Sequence, residues 1–145
     1  MTTNLILIYC FAITVSANPC FDTSREQVEA AIENFVKGGD ERNTAMLEAV
    51  LHPDFRVTIN RFMGKDDVTV ITREAYLSMI TAGKIGGEKR NIKIISIDVQ
   101  DHLAVAKVIL TSTAMKLTSN LQFVKDIKGS WLLINDMPLV EKTGS

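Results

Sequence analysis

The stretch from Gly87 to Leu110 constrains this chain more than any other, because it encodes two neighbouring strands whose faces differ in size as well as polarity. A polar lead-in, Gly87-Glu88-Lys89-Arg90-Asn91, precedes an Ile-rich strand, Gln100-Asp101-His102 turns the chain, and Leu103 opens a second strand. One face of that second strand carries Ala104, Ala106, Val108 and Leu110. Small residues give way to larger ones there, as expected where a sheet curves around a helix or a cavity. Val105, Lys107 and Ile109 alternate on the other face. An ammonium is costly to bury, so that face is expected to be the outer side of the sheet. An apolar outer face needs cover, which predicts a homodimer joined through it.

Ahead of these strands the periodicity is mainly helical. Val28, Ala31, Ile32 and Phe35 recur at i, i+3, i+4 and i+7, which predicts a helix over Ser24 to Val36. Thr23 or Ser24 would cap it and Gly38-Gly39 would stop it. A second helix follows Asp40, with Met46, Leu47, Val50 and Leu51 as its apolar stripe and Pro53 ending it. Phe55 to Phe62 reads as a strand, turning through Met63 to Asp67 into Val68 to Ile71. A third helix begins after Thr72, packs Tyr76, Met79 and Ile80, and closes at Gly83. Strands are then expected at Ile92 to Val99, Leu103 to Met115, Leu117 to Asp126 and Trp131 to Val140. This order predicts an α+β domain over residues 22–142, a cone-shaped curved antiparallel sheet wrapped around about three N-terminal helices.

Charge and composition exclude several classes of function. With 145 residues, 46% of them hydrophobic, the chain suits one domain with a sizeable core. Lys and Arg number 16 against 17 Asp and Glu, so the basic field that nucleic acid requires is missing. Leu5 to Ala17 is apolar, short for a bilayer span, and ends in Val-Ser-Ala. Residues 1–17 therefore read as a signal peptide cleaved after Ala17, although no Lys or Arg precedes the apolar run. The chain would be secreted or periplasmic if that segment is cleaved and cytoplasmic otherwise, with no stable membrane span. Cys10 lies inside the segment, so a processed chain would keep only Cys20 and form no internal disulfide.

No metal-ligand cluster, nucleophile motif or phosphate loop is present in the sequence, so no catalytic residue, metal or cofactor is assigned. The expected partner is a small molecule held in the cone. Its predicted contacts are Phe35, Phe55, Tyr76, Trp131 and Asn135. Trp131, Leu133, Asn135 and Met137 alternate on one face of the last strand, opposite Leu132, Ile134 and Asp136. If Trp131 points inward, so does Asn135, whose buried amide would need a ligand carbonyl or ring nitrogen, or a neighbouring backbone group. Tyr76 should put its ring inward and its hydroxyl within reach of a ligand. His52 could act as a general base, but a His-Pro-Asp-Phe corner more simply ends a helix and launches a strand, with Asp54 as a turn residue. Asp98 and Asp126 are the strand carboxylates considered for proton transfer, and both sit beside turns.

Gly38-Gly39-Asp40 and His52-Pro53-Asp54-Phe55, taken with the order of elements around them, resemble the nuclear transport factor 2-like superfamily. The run from Gly87 to Val108, followed by Lys128-Gly129-Ser130-Trp131, is similar to its branch called "putative lumazine-binding". The resemblance implies a cone with an internal pocket, often a dimer through the outer sheet face, and often an export signal. It also implies a pteridine-like ligand as a label for the branch. In such relatives a histidine commonly stands four residues beyond the Trp, where this chain has Asn135. The same cone serves ketosteroid isomerase, in which a tyrosine donates to a ligand carbonyl, so an isomerase, cyclase or dehydratase is the alternative to a binding protein. A dimeric interaction protein without ligand is the third possibility.

Overall fold

The computed structural model describes residues 20–143. The expected signal segment Met1 to Ala17, with Cys10, lies outside them. The elements run α1 (Cys20–Asp40), α2 (Thr44–Val50), β1 (Leu51–Asn60), a short 3-10 turn (Phe62–Gly64), β2 (Val68–Thr72), α3 (Arg73–Thr81), β3 (Asn91–Gln100), β4 (Leu103–Thr111), β5 (Met115–Lys125) and β6 (Trp131–Lys142).

The first helix forms for the reason its periodicity gives. Val28, Ala31, Ile32, Phe35 and Val36 are buried along one face. It differs at both ends from expectation. Thr23 and Ser24 are helical rather than capping, and the helix continues through Gly38 and Gly39 to Asp40. These glycines permit close approach instead of stopping the helix. A Cβ on Gly38 would stand 2.9 Å from Leu47 Cγ, and one on Gly39 would stand 2.7 Å from Arg90 Nη2. The chain turns at Arg42, whose φ is 51°. Asn43 then caps α2 by accepting from the Met46 amide at 3.1 Å. Thr72 likewise caps α3 by accepting from Ala75 at 3.3 Å.

The six strands form one sheet in the order β2-β1-β6-β5-β4-β3. Every pair is antiparallel except β1 with β6, so the expected curved antiparallel sheet carries one parallel seam. The parallel pair arises because α3 and four strands intervene between β1 and β6, which bring the chain back in the same direction. The strand expected to run from Leu103 to Met115 ends at Thr111, and Ser112 to Ala114 turn the chain into β5. The Ser112 amide bonds the Met115 carbonyl there at 2.8 Å.

Bulges on β3 and β6 bend the sheet, beside an irregular pairing of β1 with β6. Between Ile94 and Ser96 the pairing with β4 slips by one residue, and between Gln122 and Phe123 the pairing with β6 does the same. The inner wall of β4 is Ala104, Ala106, Val108 and Leu110, none more than 2% exposed. The two alanines leave room for α1, whose Arg25 guanidinium donates to the Ile97 carbonyl at 3.1 Å. Leu121, Phe123 and Leu133 complete that part of the core. Burying each of these large side chains contributes roughly 1.5–3 kcal/mol, so α1 is held by its apolar face. No helix among the described residues is long and apolar enough to cross a membrane.

Candidate functional site

The inner wall of β6 changes parity part-way along. Trp131 and Leu133 face inward and are buried. Leu133 pairs with Phe123, but Gln122 pairs with Asn135, which leaves Ile134 as the extra residue of the bulge. Beyond it the alternation is reversed, so Asp136 faces inward at 8% exposure while Met137 is exposed. Asn135 therefore points to the outer face, contrary to the expectation that it shares the face of Trp131. Its carbonyl accepts from the Thr58 hydroxyl at 3.3 Å, and its amide donates to Gln122 Oε1 at 3.1 Å. These two bonds form a short polar ladder across β1, β6 and β5 in a shallow groove that also includes Arg56 and Val70. A strand read with unbroken alternation cannot reveal Asp136. No residue type from Asn135 to Leu139 signals it, since burying Asp136 and Pro138 exposes Met137 and Leu139 against their apolar character.

The other four predicted contact residues lie inside. Phe35, Phe55 and Tyr76 meet in one cluster, with centroid distances of 6.2 Å for Phe35 with Phe55, 6.2 Å for Phe35 with Tyr76, and 5.5 Å for the edge-on pair Phe55 and Tyr76. Trp131 is buried near the opposite end of the strand, with the Lys125 ammonium 5.6 Å from its ring centre. Its indole N–H has no partner among the described residues. Asp136 lies five positions beyond Trp131, roughly 15 Å along an extended strand, so a single small ring does not bridge them.

Around Asp136 the polar groups converge. Ser119, buried to 1% on the inner face of β5, hydrogen-bonds the carboxyl, while Asp136 Oδ1 is buried with no partner among the described residues. Burial pushes the Asp136 carboxyl up to about 7, against the lowering effects of the Ser119 bond and the Arg90 charge. Burial likewise pushes the Tyr76 phenol up to about 12, with Arg90 opposing and the charges of Asp136 and Asp40 adding to the rise. At neutral pH Tyr76 is a neutral hydroxyl, and it has no hydrogen bond among the described residues.

Arg90 is placed by α1 and by the glycine-rich loop before β3. Its Nε donates to Asp40 Oδ1 at 2.6 Å, its backbone amide to Asp40 Oδ2 at 2.9 Å, and its Nη2 to the Val36 carbonyl at 3.0 Å. Gly39 is the reason these groups fit, since the Tyr76 hydroxyl and Arg90 Nη2 lie 3.8 and 2.7 Å from the position a Cβ would take. Val36, Asp40 and Arg90 also line a surface cleft of about 480 Å³. Arg90 thus borders that cleft, and its charge also acts on Tyr76 and Asp136.

The remaining candidates take structural roles. His52 Nδ1 accepts from the Asp54 amide at 3.1 Å, so the corner ties itself together inside an irregular part of β1. Asp126 accepts from the amides of Lys128 and Ser130 at 2.9 and 2.8 Å and shapes the β5–β6 turn. Asp98 is exposed and bonded to Gln100. The inward carboxylate is Asp136 instead. No group of three or more His, Cys, Asp or Glu side chains suited to a metal ion occurs among the described residues.

Residues 23–137 match the family described as "Putative lumazine-binding". The chain belongs to this family. Solved structures with the same fold include a nuclear transport factor 2-like protein of unknown function from Silicibacter pomeroyi DSS-3. It is 16% identical, with a TM-score of 0.73 over 83% of this chain and 98% of that one. A second such protein of unknown function, from Shewanella baltica OS155, is 11% identical, with a TM-score of 0.75 over 87% of this chain and 100% of that one. A protein of unknown function with a cystatin-like fold from Nostoc punctiforme PCC 73102 is 17% identical, with a TM-score of 0.66 over 81% and 90%. No protein of curated function matches this sequence. The lumazine-binding-like family and its nuclear transport factor 2-like fold thus account for the α+β cone.

Proposed function

We propose that this protein binds a small planar heterocycle inside the cone, against Asp136 and Tyr76. The observation that carries this reading is the buried, unpaired Asp136 Oδ1 on the inner wall. A buried acceptor without a partner costs roughly 1–3 kcal/mol, and a ligand N–H supplies the missing partner. Tyr76 is a neutral donor suited to an adjacent carbonyl, and Phe35 and Phe55 pack against its ring. A pteridinedione such as lumazine carries ring N–H and carbonyl groups side by side and matches that pattern, in keeping with the family description. Lumazine titrated into the protein should raise its melting temperature and change the ligand's fluorescence. If neither lumazine nor pterin does so, the reading fails.

A second reading is proton transfer in the same place. It is favoured by Asp136 at about 7, where the carboxyl is close to half ionised at neutral pH and can give or take a proton. Exchange of deuterium into a ligand carbon next to its carbonyl, lost in Asp136→Asn, distinguishes catalysis from binding.

The outer sheet face supports a homodimer as part of the same proposal. Val105 at 48%, Met137 at 47% and Leu139 at 60% exposure are large apolar groups on that face, with the Thr58–Asn135–Gln122 ladder beside them. Sedimentation of wild type and Met137→Lys tests this. A dimer dissociated by the lysine is expected, and a monomeric wild type removes the proposal.

A further inference from the structure

We propose a separate binding site for a small organic anion with an apolar body, an alkyl or aryl carboxylate, at the end of the sheet where the β1–β2 and β4–β5 turns lie. A hollow of about 510 Å³ opens there, within the range of small-molecule sites. Ile59, Phe62, Met115 and Val140 give it an apolar lining, and Arg61 and Lys142 stand at it as cations. Neither cation has an ion-pair partner among the described residues, whereas the neighbouring Lys116 is paired with Glu141 at 3.3 Å. Asp66 and Asp67 belong to the same turn as Arg61 but form no ion pair with it and do not line the hollow.

The backbone at Arg61 points the same way. Its φ of 55° and ψ of 46° are left-handed, a region that glycine and asparagine enter more readily. The Arg61 amide is fixed there by a bond to the Asp67 carbonyl at 3.1 Å. An arginine kept in an unfavourable conformation places a cation, and a planar two-pronged donor, beside an apolar recess. A carboxylate between Arg61 and Lys142, with its hydrocarbon on Ile59, Phe62, Met115 and Val140, satisfies both halves of the site. The site does not rest on the Asp136 reading, because neither Asp136 nor Tyr76 lines this hollow.

Calorimetric titration with octanoate and with octanol tests it. Arg61→Asn removes the cation while suiting the left-handed backbone, and Lys142→Gln changes an exposed residue at the end of β6. Octanoate should bind wild type more tightly than octanol does, and the double variant should weaken octanoate by about tenfold while leaving octanol unchanged. Lys142→Gln alone should weaken it by about threefold. Asp136→Leu should leave octanoate binding intact. The proposal is overturned if octanoate does not bind, if it binds no tighter than octanol, if neither cation matters, or if Asp136→Leu abolishes binding.

Discussion

Asn135 and Asp136 face opposite sides of the sheet, and the bulge at Ile134 determines which of them meets the interior. The amide joins an outer polar ladder, and the carboxyl is buried with a bond to Ser119 and one oxygen unpaired. Removing that carboxyl is expected to stabilise the fold. Leu has the same branching as Asp, so Asp136→Leu should gain roughly 1–3 kcal/mol at about pH 8, measured by urea unfolding. A loss of stability would mean that the carboxyl is satisfied in a way the fold does not display.

The same group sets a pH dependence with a definite sign. Asp136 titrates at about 7 in the folded chain against an ordinary 3.8, so the native state holds this proton more tightly than the unfolded state does. Its effect on stability is absent below about pH 4, grows unfavourable as pH rises to about 7, and is then constant. The full change is on the order of 4 kcal/mol. Subtracting the Asp136→Leu unfolding curve from that of wild type should isolate this slope. A flat difference between about pH 4 and about pH 7 would contradict it.

Arg90 lowers the Asp136 titration through its charge. Arg90→Met should therefore move the midpoint of that slope to higher pH. It should also destabilise the fold by about 3 kcal/mol, because Asp40 and the Val36 carbonyl lose their donor in a site where both ion-pair side chains are largely buried. Carboxyl chemical shifts followed by NMR report the first effect, and chemical denaturation the second.

Gly38 offers a test of the helix end. In a helix restrained only by propensity, Gly38→Ala would stabilise by about 1 kcal/mol. Here the added methyl would meet Leu47 Cγ at 2.9 Å, so the melting temperature should fall instead, for a net loss of roughly 1 kcal/mol. A rise would show that α1 and α2 separate easily.

Much of the architecture is legible in the sequence because it rests on local periodicity. The stripe through Val28 and Phe35 and the small-to-large face from Ala104 to Leu110 are inward as their spacing requires. The site is less legible because it depends on features that alternation does not encode. One inserted residue at Ile134 inverts every assignment after Leu133, which exchanges Asn135 for Asp136. Gly38 and Gly39 look like a helix stop until Leu47 and Arg90 are placed against them. Arg90, 50 residues from Asp40, is joined to it by tertiary structure alone. Tyr76 is the exception, since a tyrosine on an apolar helical stripe must bring its hydroxyl inside.

The most direct test places the two neighbours on β6 side by side. Lumazine fluorescence titrations of Asn135→Ala and Asp136→Leu should show binding close to wild type in the first and a loss of about 30-fold or more in the second. Undiminished binding by Asp136→Leu, or its loss in Asn135→Ala alone, would contradict a ligand seated on the inward carboxyl.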